Sequence, residues 1–268
     1  MIVTTINVNG IRAAVKERSA ENLGLLPWLG DTSSDVVCLQ ETRADDAQLT
    51  EALAPALDAG WHLASAEPHM KGRNGVAVLS RTPIAAVRIG LDDEFASHGR
   101  YLEADTADVT VASVYVPTGE AETDKQVEKE RFMAALATRM AELSRKRRGV
   151  AVCGDWNIAA CELDIKAWKN NVKKSGFLPS ERQWLAELMA SGWTDVVREL
   201  HPDIPGPYSW WSWRGKAFDN DAGWRIDYHL ANAKLAPRAV AARVERAEAY
   251  ALRWSDHAPV TVHYEGSA

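Results

Sequence analysis

Apolar positions along the chain gather into short runs rather than long uniform stretches. Runs over residues 3–8, 35–39, 75–79, 84–89, 101–105, 109–116, 150–154, 225–230, 240–244 and 259–264 are rich in Val, Ile and Leu, with turn-forming residues between them. Their length and β-branched content predict strands. Apolar residues three and four apart predict helices over residues 19–29, 45–57, 124–147 and 179–190. The last opens on Pro179-Ser180-Glu181, with proline where no backbone donor is needed. Several strands follow one another between residues 75 and 116 without a helix, so a purely parallel, doubly wound sheet does not fit. Two mixed sheets packed face to face with helices outside do. No internal repeat stands out. The 268 residues lie near the upper limit of one hydrophobic core, and no Gly/Ser/Pro-rich or single-sign tract divides them, so residues 1–268 read as one domain.

Composition narrows the picture. Residues 1–8 alternate like a strand, with no charged stretch leading into a long apolar run. Neither a signal peptide, a membrane span nor an accessory tail ahead of the first strand is expected, and the chain reads as cytoplasmic. Cys38, Cys153 and Cys161 form no CxxC pair, which speaks against a disulfide framework or structural zinc. A net charge of −6 argues against binding nucleic acid through a broad field, so any such contact must be local. Two basic clusters qualify. Arg145, Lys146, Arg147 and Arg148 stand at a helix end, where they complement the dipole. Lys166, Lys169, Lys173 and Lys174 follow a polar motif in a loop.

The polar residues that stand out occur where apolar runs stop, and there a rigid sheet can hold reactive groups at its rim. The motifs are Asn7-Val8-Asn9-Gly10, Leu39-Gln40-Glu41-Thr42, Gly154-Asp155-Trp156-Asn157, Arg225-Ile226-Asp227 and Ser255-Asp256-His257. Each alone reads more readily as a turn or cap; the argument rests on the combination. Phosphodiester hydrolysis needs charge neutralisation on the phosphate, an activated water and donors for developing negative charge. Glu41 and Asp256 are hard oxygen ligands suited to magnesium. Asp155 can orient or deprotonate water. Asn7 and Asn157 can fix a carboxylate or phosphate oxygen without adding charge. His257, paired with an acid such as Asp227, can donate to the phosphate at neutral pH.

Those motifs, with Gly75-Val76-Ala77, Val114-Tyr115-Val116-Pro117 and Gly223-Trp224-Arg225-Ile226-Asp227-Tyr228, resemble in order the motif set of the exonuclease III and apurinic/apyrimidinic endonuclease family. The resemblance runs from residue 7 to residue 259. It implies a four-layer αββα sandwich with one active site at its end, and a magnesium-dependent DNA-repair phosphodiesterase for which Mn2+ can substitute. Such an enzyme cuts 5′ of abasic sites and acts as a 3′→5′ exonuclease and 3′-phosphatase on double-stranded DNA with damaged 3′ ends. By the same resemblance Glu41 is the principal metal ligand, helped by Asp256 and supported by Asn7 and Asn9. Tyr115 contacts the scissile phosphate, Asp155 and Asn157 position the water, and Asp227 orients His257. The proton of the water falls to either Asp155 or the Asp227/His257 pair. Trp210, Trp224 and Ile226 line an apolar slot for a flipped sugar without its base, while at least two of the four tryptophans Trp210, Trp211, Trp213 and Trp224 read as core aromatics between packed layers. Asn171 contacts a phosphate, and Lys174 stands where some relatives carry an amide. Thr118-Gly119-Glu120 resembles the bacterial branch and lacks an arginine that some animal relatives insert into the duplex. A monomer is expected. A lipid head-group phosphatase sharing the same core is the nearest rival, and a silent DNA-binding scaffold the next; the tryptophans, the lysine loop and the full acidic set argue against them.

Overall fold

The computed structural model describes residues 1–107 and 109–266. Strands β1 (Ile2–Asn7), β2 (Val36–Gln40), β3 (His62–Ala66) and β4 (Val76–Ser80) are followed by β5 (Ala86–Ile89), β6 (Tyr101–Asp105), β7 (Val109–Tyr115), β8 (Gly149–Asp155), β9 (Trp193–Asp195), β10 (Asp227–Asn232), β11 (Ala239–Val244) and β12 (Val260–Tyr264). They form two six-stranded sheets, ordered β11-β12-β1-β2-β4-β3 and β5-β6-β7-β8-β10-β9. The helices are α1 (Ile11–Ala14), α2 (Leu25–Asp31), α3 (Asp46–Asp58), α4 (Asp124–Leu143), α5 (Pro179–Ala190) and α6 (Val196–Leu200).

Strand periodicity builds the layers. In β2, Val36 and Cys38 face the space between the sheets, whereas Val37 and Leu39 pack beneath Leu25, Leu29, Leu49 and Leu53 of α2 and α3. In β8, Ala151 and Cys153 face inward, and Val150 and Val152 meet Phe132, Leu136, Leu185 and Leu188 of α4 and α5. Both faces of the central strands are therefore apolar, which is why these runs are nearly continuous in sequence. Each fully buried Leu or Phe contributes about 1.5–3 kcal/mol. The result is the expected four-layer αββα sandwich.

Each sheet holds one parallel pair, β1 with β2 and β7 with β8, flanked by antiparallel neighbours in matching positions. The two sheets thus share one pattern, a repeat that the sequence does not display. Polar contacts cross between them, among them Gln40 Nε2, which donates to Ser113 Oγ at 2.9 Å, that hydroxyl donating in turn to Leu39 O at 2.9 Å.

Several boundaries differ from expectation. The helix expected over 19–29 begins only at Leu25, because Gly24 needs φ 82° and a Cβ there would stand 2.6 Å from Ala14 O. The helix expected over 124–147 ends at Leu143, and Arg148 turns away to donate to the carbonyls of Thr106 and Val109. The strand expected over 225–230 runs from Asp227 to Asn232, since Arg225 is held by Asp164 and Asp195. Short elements β3, β9, α1 and α6 had no strong periodic signal. The described cysteines are free, Cys38 and Cys153 being buried.

Candidate active site

The parallel pairs point their carboxyl ends the same way. Asn7 ends β1, Glu41 follows β2, Tyr115 ends β7 and Asp155 ends β8. Asp227 begins β10 directly opposite Asp155 in the antiparallel ladder. His257 precedes β12, which pairs antiparallel with β1 and so returns the chain to the same rim. Three of the residues that leave these ends, Asn9 (φ 49°), Glu41 (φ 51°) and Asn157 (φ 50°), lie in the left-handed region that non-glycine residues rarely adopt. Such strain persists where surrounding contacts over-determine it, and here hydrogen bonds supply them.

Asn7 is the hub. Its Nδ2 donates to Glu41 Oε1 at 2.8 Å and to Asp155 Oδ2 at 2.9 Å, while its Oδ1 accepts Asn9 N at 2.9 Å. Asn9 Nδ2 donates to Asp256 Oδ1 at 2.7 Å, and Trp210 Nε1 donates to Asp256 Oδ2 at 3.1 Å. Asn157 N donates to Asp155 Oδ1 at 2.9 Å, and its Nδ2 donates to Val116 O at 2.9 Å. Asp227 Oδ2 sits 2.8 Å from His257 Nδ1, and His257 Nε2 sits 3.7 Å from Asp155 Oδ2.

A cavity of about 350 Å3 opens over these groups, bordered by Asn9, Glu41, Asp155, Asn157, Asp256 and His257. Trp210, Trp224 and Ile226 form its apolar side, and Asn171 and Lys174 border it as well. The Trp210 and Trp224 rings meet edge to face, centroids 6.2 Å apart, and their backbones exchange two 2.9 Å hydrogen bonds that fix the pair. Asn171 Nδ2 is engaged with Ala167 O at 2.9 Å. Asn7 and Asp227 lie buried behind the cavity, and Tyr115 borders a neighbouring one of about 540 Å3 that shares Glu41 and Arg43. Trp211 is core, packed edge-on against Phe218, and Trp213 meets Tyr250 edge to face at the surface.

The sequence matches the model of the Endonuclease/Exonuclease/phosphatase family over residues 4–257. The chain belongs to this family. Among its relatives is an exodeoxyribonuclease of Bacillus subtilis (strain 168), 33% identical over 95% of each chain. Among solved structures, an AP endonuclease from Archaeoglobus fulgidus superposes with TM-score 0.89 at 28% identity, covering 99% of this chain and 100% of that one. A 3′ phosphatase from Neisseria bound to a product DNA hairpin superposes with TM-score 0.87 at 31% identity, with the same coverage.

In this member of the Endonuclease/Exonuclease/phosphatase family, burial sets the electrostatics. Desolvation pushes Asp155 up to about 7, opposed by His257 and reinforced by Asp227. Burial alone would depress His257, but the facing carboxylates of Asp227 and Asp155 outweigh it and raise the ring to about 10. Tyr115 is pushed up by burial and by Glu41 and Asp155, so its phenol stays neutral and able to donate.

Two donor sets could receive a divalent cation. Among the described residues Asp155, Asp227 and His257 bring ligand atoms within 4.8 Å of one another. There the carboxylates of Asp227 and Asp155 strengthen the imidazole's hold on its proton, which works against its use as a ligand. Glu41 and Asp256, partly exposed on the same cavity, offer the all-oxygen chemistry that magnesium favours. Arg43, which the sequence reading passed over, already donates its Nε to Glu41 Oε2 at 2.9 Å and so competes for that oxygen. The reading also passed over Arg100, whose guanidinium lies over the Tyr115 ring at 4.8 Å and whose Nη1 donates to Tyr115 O at 3.2 Å. Arg43 directly follows the Glu41 motif, and that position was its one available signal.

Proposed function

We propose that this protein is a DNA-repair phosphodiesterase that cleaves 5′ of abasic sites to leave a 3′ hydroxyl. On duplex DNA it also trims 3′ ends as an exonuclease and removes 3′ phosphates. The observation that carries the reading is the Asn7-bridged Glu41 and Asp155, with the Asp227–His257 pair, at the mouth of a slot walled by Trp210, Trp224 and Ile226. The names of its relatives support the same chemistry. Glu41 and Asp256, with Asn7 and Asn9 behind them, would hold Mg2+, for which Mn2+ could substitute, and the chemistry supplied there would be neutralisation of phosphate charge.

The chain's own groups supply the rest. Asp155 offers acceptors fixed by Asn7 and Asn157 and holds the attacking water. His257, kept protonated by Asp227, donates from Nε2 to a phosphate oxygen, and neutral Tyr115 donates a second hydrogen bond. Asn171 and Lys174 engage the DNA backbone. The slot selects by size, since a sugar without its base enters an apolar space that a full nucleotide overfills, and flipping costs least where no base is unstacked. We place the enzyme, as a monomer, in the cytoplasm.

The test incubates purified protein with an end-labelled duplex carrying one abasic analogue, beside an intact duplex with a recessed 3′ end, each with magnesium and with chelator. Magnesium-dependent incision immediately 5′ of the analogue is expected. A folded protein that leaves both duplexes intact would overturn the nuclease reading in favour of a lipid head-group phosphatase.

A further inference from the structure

Helix α4 packs Phe132, Leu136 and Met140 against its sheet, and on the same face it buries a lysine. The Lys129 side chain is fully buried. A desolvated ammonium is costly unless its donors are used. Lys129 Nζ lies 2.7 Å from Glu181 Oε1, 2.9 Å from Asn157 O, and 3.3 Å from both Thr118 O and Ser175 Oγ. Glu181, in the first turn of α5 and equally buried, distributes the opposite charge. Its Oε2 accepts Gly176 N at 2.7 Å and Leu178 N at 3.0 Å, and its Oε1 accepts Ser175 Oγ and Gln126 Nε2, each at 3.1 Å.

The pair therefore ties together the loop after β7, the loop after β8 and the loop entering α5. Thr118, Asn157, Ser175 and Gly176, which these bonds hold, border the cavity. The junction leaves no slack: at Gly119, with φ 72°, a Cβ would stand 2.4 Å from Ser175 Oγ and 2.9 Å from Lys129 Cδ. A buried ion pair is seldom more stabilising than apolar residues of the same size, so stability alone does not explain it. Pinning two carbonyls, a hydroxyl and two amides in one geometry is something apolar side chains cannot do.

We infer that Lys129 is a positioning residue: with Glu181 it clamps the three loops and so holds Asn157 against Asp155. This rests on the reading of Asp155 as catalytic. Asn157 is caught from both sides, its carbonyl by Lys129 and its N–H by Asp155 Oδ1. The remaining groups on the cavity, Glu41, Asp256 and His257, make none of their hydrogen bonds to the clamp.

The test compares wild type with Lys129→Met and with the double variant Lys129→Met/Glu181→Gln, which removes both charges at similar length. Melting temperature, duplex affinity in chelator and the single-turnover cleavage rate with magnesium are measured. The single variant strands a buried carboxylate and is expected to melt earlier. The double variant is expected to regain most of the melting temperature and to bind DNA within about 3-fold of wild type, yet to cleave at least about 30-fold more slowly. Cleavage that recovers with the melting temperature overturns the clamp, as does an affinity loss as large as the rate loss. Should the double variant not fold, Ser175→Ala removes the hydroxyl through which Lys129, Glu181 and Thr118 meet in the clamp. Its rate is expected to fall about 3- to 10-fold at unchanged affinity, and an unchanged rate overturns the proposal. A folded wild type that cleaves neither duplex overturns the nuclease reading and the clamp together; an active wild type with an equally active double variant overturns the clamp alone.

Discussion

Asp155 is surrounded by donors: Asn7 Nδ2 on one oxygen and Asn157 N on the other. An Asp155→Asn substitution turns one of these contacts into an N–H facing an N–H and removes the acceptor for a water proton. Turnover is expected to fall by about 1,000-fold or more, within the range for a lost acid–base group, with duplex affinity within about 3-fold in gel-shift titration. Loss of both together would mean misfolding. Glu41 lies between Asn7 and Arg43, so its charge is shared before any cation arrives. Glu41→Gln removes that charge and is expected to raise the magnesium concentration for half-maximal rate by roughly 10-fold. Arg43→Ala removes the competing cation and is expected to lower it. A magnesium titration unmoved by Glu41→Gln would take Glu41 out of the ligand set.

At the scale of elements, the site depends on where strands stop. Trp224 is fixed by its backbone exchange with Trp210, three residues ahead of β10, and Arg225 behind it is buried between Asp164 and Asp195. Trp224→Ala is therefore expected to open the slot without loosening the strand. Abasic incision should fall at least about 10-fold, and 3′ phosphate removal, which places no sugar deep in the slot, should fall less; parallel assays that drop equally would assign Trp224 to packing. The central strands and the residues at their ends were legible because a strand buried on both faces leaves an apolar run that stops abruptly at its polar rim. Strand β3 was hidden by its mixed Ala, Ser and His content, β9 by its length, and the start of α2 by contacts of Gly24 with a distant carbonyl. Lys129 left a trace, three and seven residues before Phe132 and Leu136 on one helical face, but a lysine there reads as a surface position until its partners in other loops are known. The pairing of Gln40 with Ser113 and of Arg225 with two aspartates is likewise a property of contacts far apart in sequence.

The whole molecule is two sheets of one pattern, and the proton of His257 sits where they meet. His257 leads into β12 of one sheet, and its partners Asp227 and Asp155 belong to β10 and β8 of the other. Breaking that contact therefore acts on the sandwich as well as on the proposed site. The folded chain raises His257 from 6.5 to about 10 and Asp155 from 3.8 to about 7, so both bind protons more tightly folded than unfolded. A raised pKa gives stability that is complete below the unfolded value and lost as pH rises through the folded one. For Asp155 the loss spans about pH 4 to 7, and for His257 about 6.5 to 10. Metal-free wild type is thus expected to lose stability between pH 6.5 and 10, on the order of a few kcal/mol, as read from urea midpoints in chelator. His257→Gln has no proton to lose in that window, so its midpoint should change far less over the same range. Parallel slopes for the two proteins would show that the alkaline loss arises elsewhere, and that Asp227 and Asp155 face a ring already neutral at pH 7. His257 would then be an acceptor in the hydrolysis, and the proton of the attacking water would pass to the Asp227–His257 pair instead of Asp155.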